Sequence, residues 1–500
     1  MIGQICRMEL KPRSVLLVAF CAAILFWTAA YPFGRAFLLT QINPDEGWNV
    51  YNAQKVAEHQ PLYPSAYAWT ALNYPALSFH LVAALGRLTS DYLFTARILS
   101  LSGLCLNGVL AGLIVWQTTR VKLAAWLAGP FLVAIFCANA TDYVGMNDPQ
   151  MLAQVFSLAG LYVYLRGNRR GWALDLTALL FVLGGNIKHN VIEFPLAVLL
   201  DLLFCSPRRA LRFGVGGALM AGLSVVLTSR IDGAAYFACL LAPRGYSTTQ
   251  AILQVRDVFL PILLPTAAAW WMACSCWKNP SRRVLALLLI CALAIDTYFS
   301  GGSGVSINAM FGSTLAIVLL NGVFWAEFSR LPLGGLRVLP LSAVCAVFFL
   351  CLAIPMKCSY HVRTMRILQT RRNDELRFTA ERDYLRQQHG AALCESLLLC
   401  YYAGKPYLYD PFNATRFIGQ GRLDANLMVD RVRNHEFGAV QLYGSVEERL
   451  GESPADEYFA SPILRAIQLY YRPGFKDQDG IIYIPRTWDA QMRPKLAKGY

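Results

Sequence analysis

An all-α polytopic membrane protein of about eleven transmembrane helices, with a C-terminal soluble α/β domain, is the fold class that the 500-residue sequence predicts. Three observations carry it. The chain is 56% hydrophobic and only 15% charged, with a mean hydropathy of +0.40, too apolar to be soluble throughout. Its apolar residues recur in runs long enough to cross a bilayer. Its charges are uneven: from Lys357 to the end there are 21 basic and 17 acidic residues, half of the charge carried by the 45 Lys+Arg and 31 Asp+Glu of the whole chain. Residues 1–356 therefore read as a membrane domain and 357–500 as an extracytoplasmic domain.

The first apolar run, Ser14 to Phe33, follows Arg7, Lys11 and Arg13. At roughly 20 residues it exceeds the 7–15 of a signal-peptide core, so it is expected to be an uncleaved first span with its N-terminus in the cytoplasm. Further spans are expected near 98–116, 121–138, 150–165, 172–187, 191–205, 213–228, 258–277, 284–299, 307–325 and 338–355. The stretch Pro75 to Thr89 decides the sidedness of everything after it. If it does not cross, Arg120/Lys122, Arg166/Arg169/Arg170, Arg208/Arg209/Arg212, Lys278/Arg282/Arg283 and Arg330/Arg337 all fall on the cytoplasmic side. If it crosses, all of them fall outside. It is short and carries His80 and Arg87, so it reads as an amphipathic helix in the outer interface.

Beyond the last span, 357–388 is charged and helix-compatible. Short strands at Ala391–Cys394, Gly438–Tyr443 and Ile481–Ile484 alternate with helical stretches at 424–435 and 457–471, which argues a small α/β domain of roughly 110 residues. Most of the 14 cysteines sit in apolar runs as small hydrophobes, and only Cys394 and Cys400 are placed to bridge. Asn413-Ala414-Thr415 is a glycosylation sequon by pattern alone. The net charge of +14 comes as short clusters between apolar runs, which is how cytoplasmic loops are marked and not how nucleic acid is bound.

The outer face holds the candidate chemistry. After the first span comes Asn43-Pro44-Asp45-Glu46-Gly47-Trp48, followed by a segment rich in Tyr, Trp and Pro that ends at Tyr74-Pro75. Thr141-Asp142-Tyr143-Val144-Gly145-Met146-Asn147-Asp148-Pro149 opens the fourth span, where Asp148 can cap the helix and Pro149 can occupy its first turn. Gly184-Gly185-Asn186-Ile187-Lys188-His189-Asn190 follows the fifth. Lys188 is costly there unless it snorkels, pairs with Glu193, or, with His189, holds a phosphate. Asp296 lies about one turn inside the outer boundary and is a site candidate by position. The turn Ser300 to Asn308 is glycine-rich, for which close packing is sufficient reason. Tyr401, Tyr402, Tyr407 and Tyr409 suit either a packed strand edge or an acceptor sugar.

The order of these motifs resembles the GT-C superfamily of membrane glycosyltransferases, in the bacterial branch related to protein O-mannosyltransferases and to the aminoarabinose transferase of lipid A. It rests on the early Asp45-Glu46, the aromatic loop ending at Tyr74-Pro75, Ala96-Arg97-Ile98-Leu99-Ser100, Asn147-Asp148-Pro149 and Lys188. It covers about residues 10–210 and fades afterwards. The resemblance implies a GT-C-like fold and transfer of a sugar from a polyprenyl-phosphate-linked donor to a glycan, lipid or protein acceptor outside the cytoplasmic membrane. It maps the general base onto Asp45, with Glu46 beside it, a second acid onto Asp148, and a donor-phosphate contact onto Lys188. Asp142, Asn147, Tyr74 and Arg97, within the same motifs, become candidate substrate contacts. Some relatives place a divalent metal near the first-loop acid; the 229–257 loop offers no matching histidine, so no cofactor is certain and the metal stays open.

The residue types fit this chemistry independently. An acceptor hydroxyl attacks an anomeric carbon well only when a carboxylate takes its proton, which Asp45 or Asp148 can do. The departing lipid phosphate gains charge, so a cation such as Lys188 or Arg256 lowers the barrier. A transporter or flippase of lipid-linked saccharides is the rival, against which the chain shows no hydropathy repeat and no interrupted helix pair.

Overall fold

The computed structural model describes residues 12–330, 338–353, 359–451, 458–478 and 480–486. The chain divides into two compact units. One comprises 1–37, 74–230 and 243–368; the other joins 38–73 and 231–242 to 369–500. The boundary expected at 356/357 lies outside the described residues, as do Arg7, Lys11 and Arg337.

The first unit is helical. Every expected span is a helix, beginning with Pro12–Arg35, Tyr92–Thr119 and Lys122–Asn139. Among the described residues six helices are long and apolar enough to cross a membrane: Tyr92–Thr119, Lys122–Asn139, Pro207–Ile231, Thr248–Ser275, Pro280–Ser300 and Ile307–Phe328. Gln150–Arg166, Gly171–Ile187, Glu193–Cys205 and Val338–Ala353 run only 17, 17, 13 and 16 residues, so about eleven crossings remains an expectation. The stretch around 75–89 is the helix Leu77–Thr89, too short at 13 residues to span, in line with the interfacial reading.

Burial separates these helices by role. Phe311–Phe328 is apolar on every side and almost wholly buried, the pattern of a central helix. Pro207–Ile231 leaves Leu211, Val215, Leu219, Leu223 and Ile231 exposed, as a lipid-facing helix does. Tyr92–Thr119 crosses Lys122–Asn139 closely enough that a Cβ on Gly129 would come within 2.7 Å of the Gly108 carbonyl oxygen. Small residues at a helix crossing let backbones approach where no hydrophobic drive exists between helices in lipid.

Loops assigned by charge to one side of the membrane meet one another. At the end marked by basic clusters, buried Asp201 accepts from Arg169 and Arg283 at 2.9 Å each, and Tyr164 donates to it at 2.6 Å. At the other end Arg35 reaches Asp142, Lys188 reaches Asp148, and Tyr246 pairs with Gly302. The glycine-rich turn belongs to this last contact: Ser247 N–H donates to Gly301 O and Ser303 N–H to Gly245 O, so loop packing accounts for it.

The second unit contains a four-stranded sheet of order β1-β2-β4-β3, formed by β1 (Ala391–Cys394), β2 (Phe437–Leu442), β3 (Tyr471–Lys476) and β4 (Ile481–Pro485). β1 and β2 are parallel; β4 is antiparallel to both β2 and β3. Three strands and the helices Ala425–Arg433 and Ser461–Tyr470 stand where the sequence places them. β3 is the addition. It follows the helix without a break and contains Pro473, which an edge strand tolerates because one side of its ladder is unpaired. Cys394 and Cys400 form a disulfide, while the other described cysteines are free. Asn413 is buried, and its Nδ2 donates to Asp410 at 2.6 Å, so the folded domain does not present the sequon.

Candidate active site

The first unit brings three of the expected residues together: Asp148, Lys188 and Tyr74. The chain reverses after the short helix Thr141–Tyr143 through Gly145, whose φ of +70° lies in the left-handed region glycine allows. This presents Asp148 just before Gln150–Arg166. One Asp148 carboxylate oxygen accepts the Gln150 N–H at 2.7 Å, as a capping residue would, while Pro149 precedes the first turn and does not occupy it. The other oxygen lies 3.2 Å from Lys188 Nζ. Lys188 leaves Gly171–Ile187 in extended conformation, with its Nζ 3.4 Å from the centre of the Tyr74 ring.

Only 5% and 2% of the Lys188 and Asp148 side chains are exposed, which decides against snorkelling. The carboxylate Lys188 meets is Asp148, forty residues upstream, and not Glu193, five downstream. Glu193 packs instead where a Cβ on Gly312 would fall, beside Ser313, whose N–H and hydroxyl both donate to Asp296 at 2.7 Å. Asp296 is thus buried in helix packing. A buried ion pair recovers its desolvation cost only with further partners, and the Tyr74 face and the Gln150 N–H supply them.

His189 follows Lys188 and is half-buried. Burial first, then the charges of Arg244 and Lys188, push its imidazole down to about 3. Arg35 is buried at the end of the first helix, bonded to the Thr141 carbonyl and 3.2 Å from exposed Asp142. Arg97 is also buried, with Nη1 3.4 Å from Ala36 O, and Asn147 is buried in the turn. Arg256 stays exposed and pairs with its neighbour Asp257 at 2.7 Å. Sequence reading missed Arg35 and Arg244. Arg35 had a signal: an arginine at the end opposite the basic clusters runs against the charge rule for loops.

In the second unit the two adjacent acids part company. Asp45 opens the helix Asp45–Ala57 and is exposed, its N–H donating to Asn43 Oδ1 at 3.0 Å. Glu46 is fully buried, and its carboxylate accepts the Ile42 N–H at 2.7 Å, closing the turn. Of the pair, Asp45 is the one a substrate can reach. The tyrosines pack: Tyr407 stacks on Tyr51 at 4.9 Å, and Tyr409 stacks on Phe459 at 5.0 Å. Half-buried Lys55 lies 4.9 Å from the Tyr407 ring, and burial, partly opposed by Asp410, lowers it to about 8. Among the described residues no group of three or more His, Cys, Asp or Glu stands together.

No protein-family model matches the sequence, and no curated protein matches it. Solved structures do. ArnT from Cupriavidus metallidurans, in its apo state, superposes with a TM-score of 0.61 over 94% of this chain and 97% of its own, at 14% identity. The same protein bound to undecaprenyl phosphate gives 0.60 over 95% and 98%, at 15% identity. The chain has the ArnT fold. The archaeal oligosaccharyltransferase AglB from Archaeoglobus fulgidus, in complex with an inhibitory peptide and a dolichol-phosphate, follows at 0.55, covering 96% of this chain and 75% of its own at 11% identity. The likeness spans both units, whereas the motifs legible in the sequence faded near residue 210.

Proposed function

We propose that the chain is an integral membrane glycosyltransferase of the GT-C superfamily. It would move a sugar from a polyprenyl-phosphate-linked donor to an acceptor hydroxyl at the outer face of the cytoplasmic membrane. The observation that carries the reading is the buried Lys188–Asp148 pair beside Tyr74, in a fold shared with proteins solved with undecaprenyl phosphate and dolichol-phosphate. Lys188 is the donor-phosphate contact, held in place by Asp148 while the donor is absent. When the glycosidic bond breaks, negative charge grows on the lipid phosphate, and a fixed ammonium already stripped of water stabilises it at little reorganisation cost. Asp45 takes the proton of the acceptor hydroxyl. The disulfide supports the outer placement of the C-terminal domain, since such bonds persist in oxidising compartments.

The test compares envelope glycolipids and glycoproteins by mass spectrometry in cells with and without the gene, then with Asp45→Asn restored. The gene should add one sugar to one class of molecule. Asp45→Asn should reduce that product by about 10²-fold or more, because the amide keeps the shape but cannot accept a proton. Retention of more than about a tenth of the product would move the base to Asp148. Unchanged glycosylation, with a lipid-linked saccharide accumulating on one side of the membrane in deleted cells, would favour a flippase.

A further inference from the structure

The turn that carries Asp45 is fastened to the C-terminal α/β domain at three places, all within the second unit. Gln41 uses both ends of its amide. Its Nε2 donates to Tyr443 Oη at 2.8 Å, and its Oε1 accepts from Ser396 Oγ at 3.0 Å. Six residues on, Gly47 lies so close to the segment Leu397-Leu398 that a Cβ would run into the Leu398 nitrogen and come within 2.8 Å of the Leu397 Cβ. One helical turn later, Tyr51 Oη donates to the Lys405 carbonyl at 2.7 Å. Asp45 lies between the first two fastenings.

The receiving side is built to stay still. Ser396 caps the helix Leu397–Tyr402 and takes its position from Gln441 of β2, whose Oε1 accepts the Ser396 N–H at 2.9 Å. Its neighbour Glu395 is 1% exposed, accepts the Tyr443 N–H at 2.5 Å, and is held by Arg449 Nε and Nη2 at 2.9 and 2.6 Å. Burial pushes the Tyr443 hydroxyl up to about 12, so it keeps its proton and can serve as donor or acceptor. The Cys394–Cys400 disulfide closes the loop around Glu395, Ser396 and the first turn of the helix. It joins the end of β1 to the surface on which Gly47 rests.

We infer that the disulfide-closed segment Cys394–Cys400 is a positioning element for the acidic turn, with Gln41 as the link that sets where Asp45 stands. This rests on the reading of Asp45 as the base. Gln41 and the two cysteines touch no reacting atom; they act through the turn. A proton acceptor displaced by about 1 Å can lose on the order of 10²-fold in rate while the lipid-phosphate contact is untouched.

The test uses the full chain in lipid nanodiscs, as wild type, Gln41→Leu, Gln41→Glu and the double variant Cys394→Ser/Cys400→Ser. Hydrogen exchange is followed at 41–46 and in β2. Undecaprenyl phosphate binding is measured on the same samples, and cells lacking the gene report how much envelope product each variant restores. Gln41→Leu and the double variant should speed exchange at 41–46 by about tenfold or more with β2 still protected. They should bind undecaprenyl phosphate within about twofold of wild type and restore at most about a tenth of the product. Gln41→Glu, which accepts from both hydroxyls, should behave as wild type in all three. Unchanged exchange at 41–46 in Gln41→Leu overturns the inference, and so does a product loss that Gln41→Glu fails to rescue. Should the double variant lose β2 protection through unfolding, the Gln41 pair decides alone. If wild type and Asp45→Asn give equal product, the reading of Asp45 as the base fails, and the exchange result still decides whether the segment holds the turn.

Discussion

Two acidic turns, Pro44-Asp45-Glu46 and Asn147-Asp148-Pro149, look alike in sequence and are built in opposite ways. Each sets an aspartate at the start of a helix beside a proline. In the first the aspartate is exposed and its neighbour Glu46 turns inward to close the turn. In the second the aspartate itself is buried, its charge met by Lys188 and the Gln150 N–H. A carboxylate whose two oxygens already serve a cation and a helix start is suited to holding something in place. One standing in the open at the tip of a rigid turn is suited to taking a proton. On the proposed reading, the difference suits the two aspartates to distinct tasks, although composition and motif treat them as equivalents.

Stability should separate the turns most strongly. Lys188→Ala leaves a buried carboxylate uncompensated and should cost about 3–5 kcal/mol, read as protection lost from 150–187 by hydrogen exchange, together with weaker undecaprenyl phosphate binding. Asp45→Ala should stay within about 0.5 kcal/mol. Equal losses would erase the contrast. The Asp148→Ala/Lys188→Ala double variant should lose less than the two single losses added, since its second change removes the stranded charge.

Next in size is Gly47→Ala, which drives a methyl group into the Leu397-Leu398 backbone and should cost roughly 1–3 kcal/mol. The loss should show as faster exchange at 41–57 with 150–187 unaffected.

The smallest effects are on pH dependence and differ between the units. His189 is held neutral down to about 3 against an ordinary 6.5, so the unfolded chain takes up the proton first. The stability gained by keeping it neutral is present above pH 6.5 and lost as pH falls through that window. His189→Asn should flatten this acid limb. Lys55, at about 8 against 10.5, is already neutral in the folded chain between those values while the unfolded chain is still protonated, so stability rises with pH there. Lys55→Met should flatten that rise. Each change should be about 1 kcal/mol or less, because both side chains keep partial contact with solvent. An acid limb that answered to Lys55→Met would contradict the assignment.

The sequence by itself determined the helices of the membrane unit, three of the four strands, the Cys394–Cys400 bridge, and the roster of candidate residues. These are legible because they rest on local or one-dimensional signals: apolar length against bilayer thickness, basic clusters between spans, alternation in strands, and a cysteine pair close in sequence outside the apolar runs. β3 escaped because a helix pattern runs straight into it and Pro473 speaks against a strand, a rule that holds only for central strands. Only the tertiary structure decided who partners whom. Lys188 had two local choices, snorkelling or Glu193, and takes Asp148, because helix packing brings the start of Gln150–Arg166 to the end of Gly171–Ile187. Asp45 and Glu46 are adjacent and chemically alike; which is exposed depends on Gly47 resting on Leu397-Leu398 some 350 residues later and on Gln41 reaching Ser396 and Tyr443. Such contacts leave no periodicity in the chain. Their energy comes from burial and hydrogen bonds between segments far apart in sequence, which exist only once both have folded.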